Sequence, residues 1–251
     1  MLRKLEGIVL RTKDYGESHK VVNLYTKERG KMAVMARGAK KPKSRLAAVA
    51  QPFIHAQFLC FEGSGMGTLS QGDILNSHYP LRSDLYLTAY AAYLAELLDQ
   101  STEEREPQPT LFEWFRSSLE HLEGGTDPDI LARMFELKML DTAGYRPFLD
   151  GCVSCRATER PLGFSVSQGG FLCLDCAEQR RQQVIPLSTP AARILKLLQR
   201  ISPDRLGQVE VKPETKAQLE KAMGAFIDEY GGFHLKSRTF LDRMRSDGLI
   251  D

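Results

Sequence analysis

A chain of 251 residues has room for one large domain or two to three small ones, and 42% hydrophobic with 26% charged residues excludes global disorder. The net charge of +2 conceals an asymmetry: residues 1–50 hold thirteen Lys or Arg against four acids, a local net of +9, while the other 201 hold 21 basic and 28 acidic groups, a net of −7. This distribution points to a polyanion site confined to the N-terminal region. No run approaches the length of an apolar membrane span, and Glu6 falls inside any would-be signal peptide. The expected setting is the reducing cytoplasm, where paired cysteines are more often metal ligands or redox groups than disulfides.

Residues 5–13, 20–28 and 31–38 carry β-branched and apolar residues in short runs, with Glu28-Arg29-Gly30-Lys31 as a hairpin turn. Residues 52–61 and 68–78 supply two more runs across the glycine-rich segment 62–67. Five short strands predict a closed OB-type barrel over 1–80, with a five-stranded SH3-like barrel as the competing topology. From Ser83 the apolar period becomes helical, with Leu85, Ala89, Tyr90, Tyr93, Leu94, Leu97 and Leu98 on one face. A helix over 111–122 ends at Gly124-Gly125, and Asp127-Pro128 opens another that stops at Gly144. After a cysteine region at 150–178, Thr189-Pro190 and Pro213 start two further helices, and Phe240, Leu241 and Met244 mark a short last one. The expected class is α+β: the barrel of 1–80, then a helical domain of 81–251 interrupted at about 150–178 by a four-cysteine zinc module.

Cys152-x-x-Cys155, seventeen residues, then Cys173-x-x-Cys176 has the spacing of two zinc knuckles. Two residues between cysteines let a tight turn aim both thiolates at one ion, and two such turns complete a tetrahedron. Segments 163–166 and 169–172 read as a short hairpin leading into the second pair. Four sulfurs close the shell, and no His lies between residues 122 and 233, so the ion expected is one structural zinc, not a catalytic one. An iron site of the same geometry and a redox pair are the alternatives. The fifth cysteine, Cys60, sits in an apolar strand and reads as a core residue.

Arg37-Gly38-Ala39-Lys40-Lys41-Pro42-Lys43-Ser44-Arg45 places five cations in nine residues, where glycine and proline oppose a helix. Such a loop can follow a phosphate backbone, and Arg11 and Lys13, at alternate positions of the first strand, point to the same face. The alternative is a solvated charge run. Tyr15, Tyr25 and Phe53 are possible stacking platforms for single-stranded nucleic acid, or core residues. Catalytic patterns are absent: the five histidines are scattered, the segment of Gly63, Gly65 and Gly67 lacks the Lys and Ser/Thr of a phosphate loop, and there is no nucleophile elbow or deaminase signature. A non-enzyme is expected, without a small-molecule substrate.

Several segments together resemble a known family. They are residues 7–18 (Gly-Ile-Val-Leu-Arg-Thr-Lys-Asp-Tyr-Gly-Glu-Ser), Leu24-Tyr25-Thr26 with Gly30, the basic stretch 37–45, residues 143–152 (Ala-Gly-Tyr-Arg-Pro-Phe-Leu-Asp-Gly-Cys), and residues 234–241 (His-Leu-Lys-Ser-Arg-Thr-Phe-Leu). In this order around a CxxC pair, the chain resembles the RecO family of bacterial recombination mediators along its whole length. The resemblance implies an N-terminal OB domain, a helical body and a zinc module between helices. It also implies binding of single- and double-stranded DNA, strand annealing, and loading of RecA onto strands coated by single-stranded DNA-binding protein (SSB). RecR and the C-terminal tail of SSB are the implied partners. Carried over onto matching positions, the DNA contacts fall on Arg11, Lys13, Arg37, Lys40, Lys41, Lys43 and Arg45, while Lys236 and Arg238 match the C-terminal motif. Some members lack the cysteines, which implies that zinc stabilises the fold; here all four positions are filled. A zinc-ribbon protein–protein adaptor and a metal-dependent nuclease are the competing functions.

Overall fold

The computed structural model describes residues 1–62, 65–159, 162–207, 210–232 and 234–248, so Gly63 and Ser64 of the glycine-rich segment lie outside the described residues. The chain runs through β1 (Leu2–Tyr15), β2 (His19–Thr26), β3 (Gly30–Ala36), α1 (Leu46–Val49), β4 (His55–Phe61) and β5 (Gly67–Asn76). It continues through α2 (Pro80–Ser83), α3 (Leu85–Ser101), α4 (Pro109–Glu123), α5 (Pro128–Thr142), β6 (Leu162–Ser165), β7 (Gly170–Cys173) and α6 (Leu174–Arg180). The last elements are β8 (Ile185–Pro186), α7 (Thr189–Leu198), α8 (Pro213–Phe226) and α9 (Lys236–Ser246).

The five N-terminal strands close into a barrel in the order β1-β2-β3-β5-β4, the OB arrangement expected from their spacing. Closure comes from a short parallel pairing of β3 with β5, Val34 opposite Gly67 and Met35 opposite Thr68. β1 serves both halves: it pairs with β4 from Leu2 to Ile8 and with β2 from Gly7 to Tyr15, and a bulge between Val9 and Arg11 bends it at the handover. Alternate residues of β3 face inward, and Val9, Val22, Leu24, Val34, Ala36, Ala56, Phe58 and Leu69 fill the interior. Helix α1 lies against β5, where a Cβ on Gly72 would stand only 3.1 Å from Val49. The β2–β3 turn needs glycine: Gly30 has φ +62°, and a Cβ there would fall 2.0 Å from the Glu106 carbonyl oxygen.

Two compact units emerge, Met1–Gly124 with Leu235–Asp251, and Gly125–His234. In the first, α3 buries Tyr90, Tyr93, Leu94, Leu97 and Leu98, and its N-terminus is capped by Asp84, whose carboxylate accepts from the Leu87 amide. Helix α4 adds Phe112, Phe115 and Leu119 to the buried set. The C-terminal helix α9 packs on α3, turning Leu241 and Met244 inward. In the second unit, α5 begins as expected at Asp127-Pro128, the Asp127 carboxylate accepting from the Asp129 and Ile130 amides. Its Arg133 and Glu136 form a buried ion pair at 2.7 Å. Helix α7 is capped by Ser188, one residue before the expected Thr189, because the Ser188 hydroxyl reaches the Ala191 amide at 3.3 Å. Among the described residues no helix is long and apolar enough to cross a membrane.

Candidate metal centre and nucleic-acid interface

The cysteines are brought together by a hairpin. β6 and β7 pair with Phe164 opposite Phe171, and β8, which sequence patterning missed, adds a third strand. Gly170 lets the chain before the first cysteine pair lie on this hairpin: a Cβ there would fall 2.2 Å from the Phe148 carbonyl oxygen. The Cys152 amide donates to the Ala157 carbonyl and the Arg156 amide to the Cys152 carbonyl, closing a knuckle in which Arg156 takes φ +64°. The second pair straddles the end of β7 and the first turn of α6. All four sulfurs lie within 4.8 Å of one another, and Cys152, Cys173 and Cys176 are buried.

That geometry fits a metal ion. A tetrahedron built on zinc–sulfur bonds of about 2.3 Å has sulfur–sulfur edges of about 3.8 Å, and Cys155 Sγ stands 3.7 Å from Cys173 Sγ. The electrostatics agree. Burial opposes ionisation of Cys152, yet the backbone amides of Cys155, Cys173 and Ser154 bring its thiol down to about 6. Burial and neighbouring sulfurs push Cys173 up to about 12, against the pull of the Cys176 amide. Four sulfurs this close cannot all be thiolates unaided, and a divalent cation supplies the charge that lets them be. Among the described residues this is the cysteine, histidine and carboxylate cluster able to hold a metal ion.

The basic residues gather on the barrel in the first unit. Arg11 and Lys13 are both exposed beyond the β1 bulge, opposite Asn23 and Val21 of β2. The 37–45 segment leaves β3 as a chain of tight turns held from outside. The Gly38 amide donates to His19 Nδ1 at 2.9 Å, the Lys40 amide to the Ser18 carbonyl at 3.0 Å, and Ala39 is buried. The β1–β2 turn thus splints the loop, and its cations project while its backbone stays fixed. Arg37, Lys40, Lys41, Lys43 and Arg45 are all exposed. Two of the seven cations are already engaged: Arg11 pairs with Asp99 of α3 at 2.9 Å and Lys40 with Asp14 at 2.7 Å. The Lys40 ammonium holds the Asp14 carboxyl below its usual range. Lys13, Arg37, Lys41, Lys43 and Arg45 make no ion pair among the described residues.

Residues 1–78 match the family described as Recombination protein O N terminal, and residues 82–239 match Recombination protein O C terminal. A protein of Bacillus subtilis (strain 168) named DNA repair protein RecO is 50% identical over 246 residues, 98% of this chain and 96% of the relative. Its namesake from Halalkalibacterium halodurans is 45% identical over 251 residues, 100% of this chain and 98% of the relative. The chain belongs to the RecO family.

RecO membership sets the chain in DNA repair and recombination. The structure also sorts the three aromatic candidates for base stacking. Tyr25 and Phe53 are buried in the fold, Phe53 with its amide bonded to the Val9 carbonyl, while Tyr15, at the end of β1 two residues beyond Lys13, is 58% exposed. Sequence reasoning missed His19, Asp14 and Asp99, which hold the loop or pair with the cations. A histidine at the start of β2 was the available signal, but its acceptor role depends on a partner nineteen residues away.

Proposed function

We propose that this chain is a non-catalytic mediator of recombination in the cytoplasm that binds single- and double-stranded DNA and anneals complementary strands. In this reading it helps load RecA onto SSB-coated strands together with RecR, docking on the C-terminal tail of SSB. Nucleic-acid binding belongs to the barrel of residues 1–80, with contacts from Arg11, Lys13, Arg37, Lys40, Lys41, Lys43 and Arg45; the helical remainder, 81–251, carries the cysteine module. The observation that carries the reading is the splinted basic loop beside the cations of β1, in a chain similar over its whole length to proteins named for DNA repair. Annealing needs no bond chemistry: cations that neutralise phosphates on two strands remove the repulsion opposing their pairing. Cys152, Cys155, Cys173 and Cys176 would hold one zinc ion, which when bound supplies the charge that keeps four thiolates together and so fixes the hairpin. The deciding experiment is annealing of complementary strands coated with SSB, with and without this protein. Acceleration supports the reading, and no effect in the presence of RecR overturns it.

A further inference from the structure

Helix α9 is pinned to α3 by named contacts. The Glu96 carboxylate accepts the Lys236 amide at 3.3 Å and the Ser237 amide at 2.8 Å, and Arg245 donates to the Tyr90 hydroxyl at 2.9 Å. These contacts, with Leu241 and Met244, account for the inward face. On the outward face, Lys236, Phe240 and Arg243 stand at spacings of four and three, in one row along the helix. All three are exposed, Phe240 to 46%. A single exposed apolar residue needs no explanation. A ring flanked on both sides by cations on a polar helix is the pairing that single-strand binding uses, a stacking platform between phosphate contacts.

The first turn of α9 also lies near Arg11 of the barrel, through α3. Glu96 and Asp99 are three residues apart on α3, so they neighbour each other on one face. Asp99 receives Arg11 of β1 at 2.9 Å and Lys31 of β3 at 3.4 Å, while Glu96 receives the first turn of α9. Arg11 of β1 and the start of α9 therefore engage neighbouring positions of α3. Two acids share the helix: Asp242 turns aside toward Arg245 at 3.9 Å, and Asp247, at the C-terminal cap, ends the row.

We propose that the outward face of α9 is a second track for single-stranded DNA, in which Phe240 stacks a base and Lys236 and Arg243 hold the flanking phosphates. This rests on the reading of the chain as a DNA-binding protein and extends it to a surface far from the basic loop in sequence. Two strands on two tracks would be held by one protein during annealing.

The test compares Phe240→Ala, the Lys236→Ala/Arg243→Ala pair and the Lys41→Ala/Lys43→Ala/Arg45→Ala triple in the full chain. Each is titrated by anisotropy with oligothymidylate and with a hairpin duplex. Phe240→Ala is expected to weaken single-strand binding about five- to tenfold and to leave duplex binding unchanged, since paired bases offer no free face. The paired cation variant should lower the single-strand salt slope by about 0.7 per cation. An oligonucleotide carrying 5-iodouracil should crosslink to the peptide containing Phe240, a readout that holds even if Phe240→Ala lowers the melting temperature. Unchanged single-strand affinity without a crosslink, or equal losses on both substrates, overturns the proposal. If the loop triple weakens binding while the α9 variants do not, the track alone falls. If the unmodified chain binds no DNA, the track and the DNA-binding reading fall together.

Discussion

Ion pairing sets how much of each cation a phosphate can claim. Arg11 and Lys40 are shared with Asp99 and Asp14, whereas Lys41, Lys43 and Arg45 stand exposed on the splinted loop. Replacing those three with Ala should weaken DNA binding and flatten its salt slope by about 0.7 per cation on single strands and about 0.9 per cation on duplex. Unchanged affinity and slope in titrations at several salt concentrations would remove the loop from the mechanism. Asp14→Asn, which releases Lys40, should act in the opposite direction. His19→Ala leaves the formal cations in place but unties the Gly38 amide, so affinity should fall while the slope stays, because the cost is one of ordering the loop. A buried histidine offers a separate test. His78 lies 2.7 Å from Glu123 through Nδ1, and burial lowers its pKa from the ordinary 6.5 against the pull of that carboxylate and of Glu120, with His55 adding to the lowering. Below that pH the unfolded chain binds more protons at this site than the folded one, so the stability present at neutral pH is lost as pH falls through the window. Thermal melts should show a drop as pH falls below about 6.5 that is reduced in His78→Gln; an identical pH profile in the variant would assign the drop to other groups.

The hairpin β6–β7 and helix α6 carry Cys173 and Cys176 to within 4.8 Å of Cys152 and Cys155. Structural zinc in small modules contributes on the order of 10 kcal/mol of apparent binding free energy. Cys173→Ser should therefore lose the metal and melt at a lower temperature, and metal analysis of the unmodified chain should return one zinc per molecule. A metal-free chain with normal melting would remove the site. Thiol labelling separates the five cysteines: burial, with Glu62 nearby, pushes the Cys60 thiol up to about 12, so it should stay unmodified in the native protein whatever the metal does. Chelation should then expose the other four thiols and no more. Elements like these were legible because their signals are local: two CxxC turns, an Asp-Pro helix start, β-branched runs divided by a glycine turn. The features that were not legible are long-range. The acceptor on His19, the third strand β8, and the docking of α9 on Glu96 across 140 residues depend on pairings that no local period records. Tyr25 and Phe53 were ambiguous for a related reason, since an aromatic in a strand reads alike whether its ring faces solvent or core.

Over the whole molecule the charge asymmetry becomes a statement about rate and salt. A lobe of +9 on a chain of net +2 is expected to steer a polyanion to the barrel end of the sequence, against a summed charge of −7 spread over the other 201 residues. The five candidate contacts that make no ion pair among the described residues, Lys13, Arg37, Lys41, Lys43 and Arg45, are expected to contribute about −3.5 to the single-strand salt slope, which by itself lowers affinity roughly a hundredfold between 50 and 200 mM salt. Annealing should respond differently from binding. Rising salt weakens the grip on each strand but also screens the repulsion between strands, so the unassisted reaction accelerates as the assisted one slows. The advantage conferred by the protein, measured as the ratio of assisted to unassisted annealing rates, is therefore expected to be greatest at low salt and to decline as salt rises. The Lys41, Lys43 and Arg45 triple variant should lower that ratio most at low salt and converge with the unmodified chain at high salt. A ratio independent of salt would mean that acceleration does not run through phosphate neutralisation, and a surface binding the partner proteins would have to account for it.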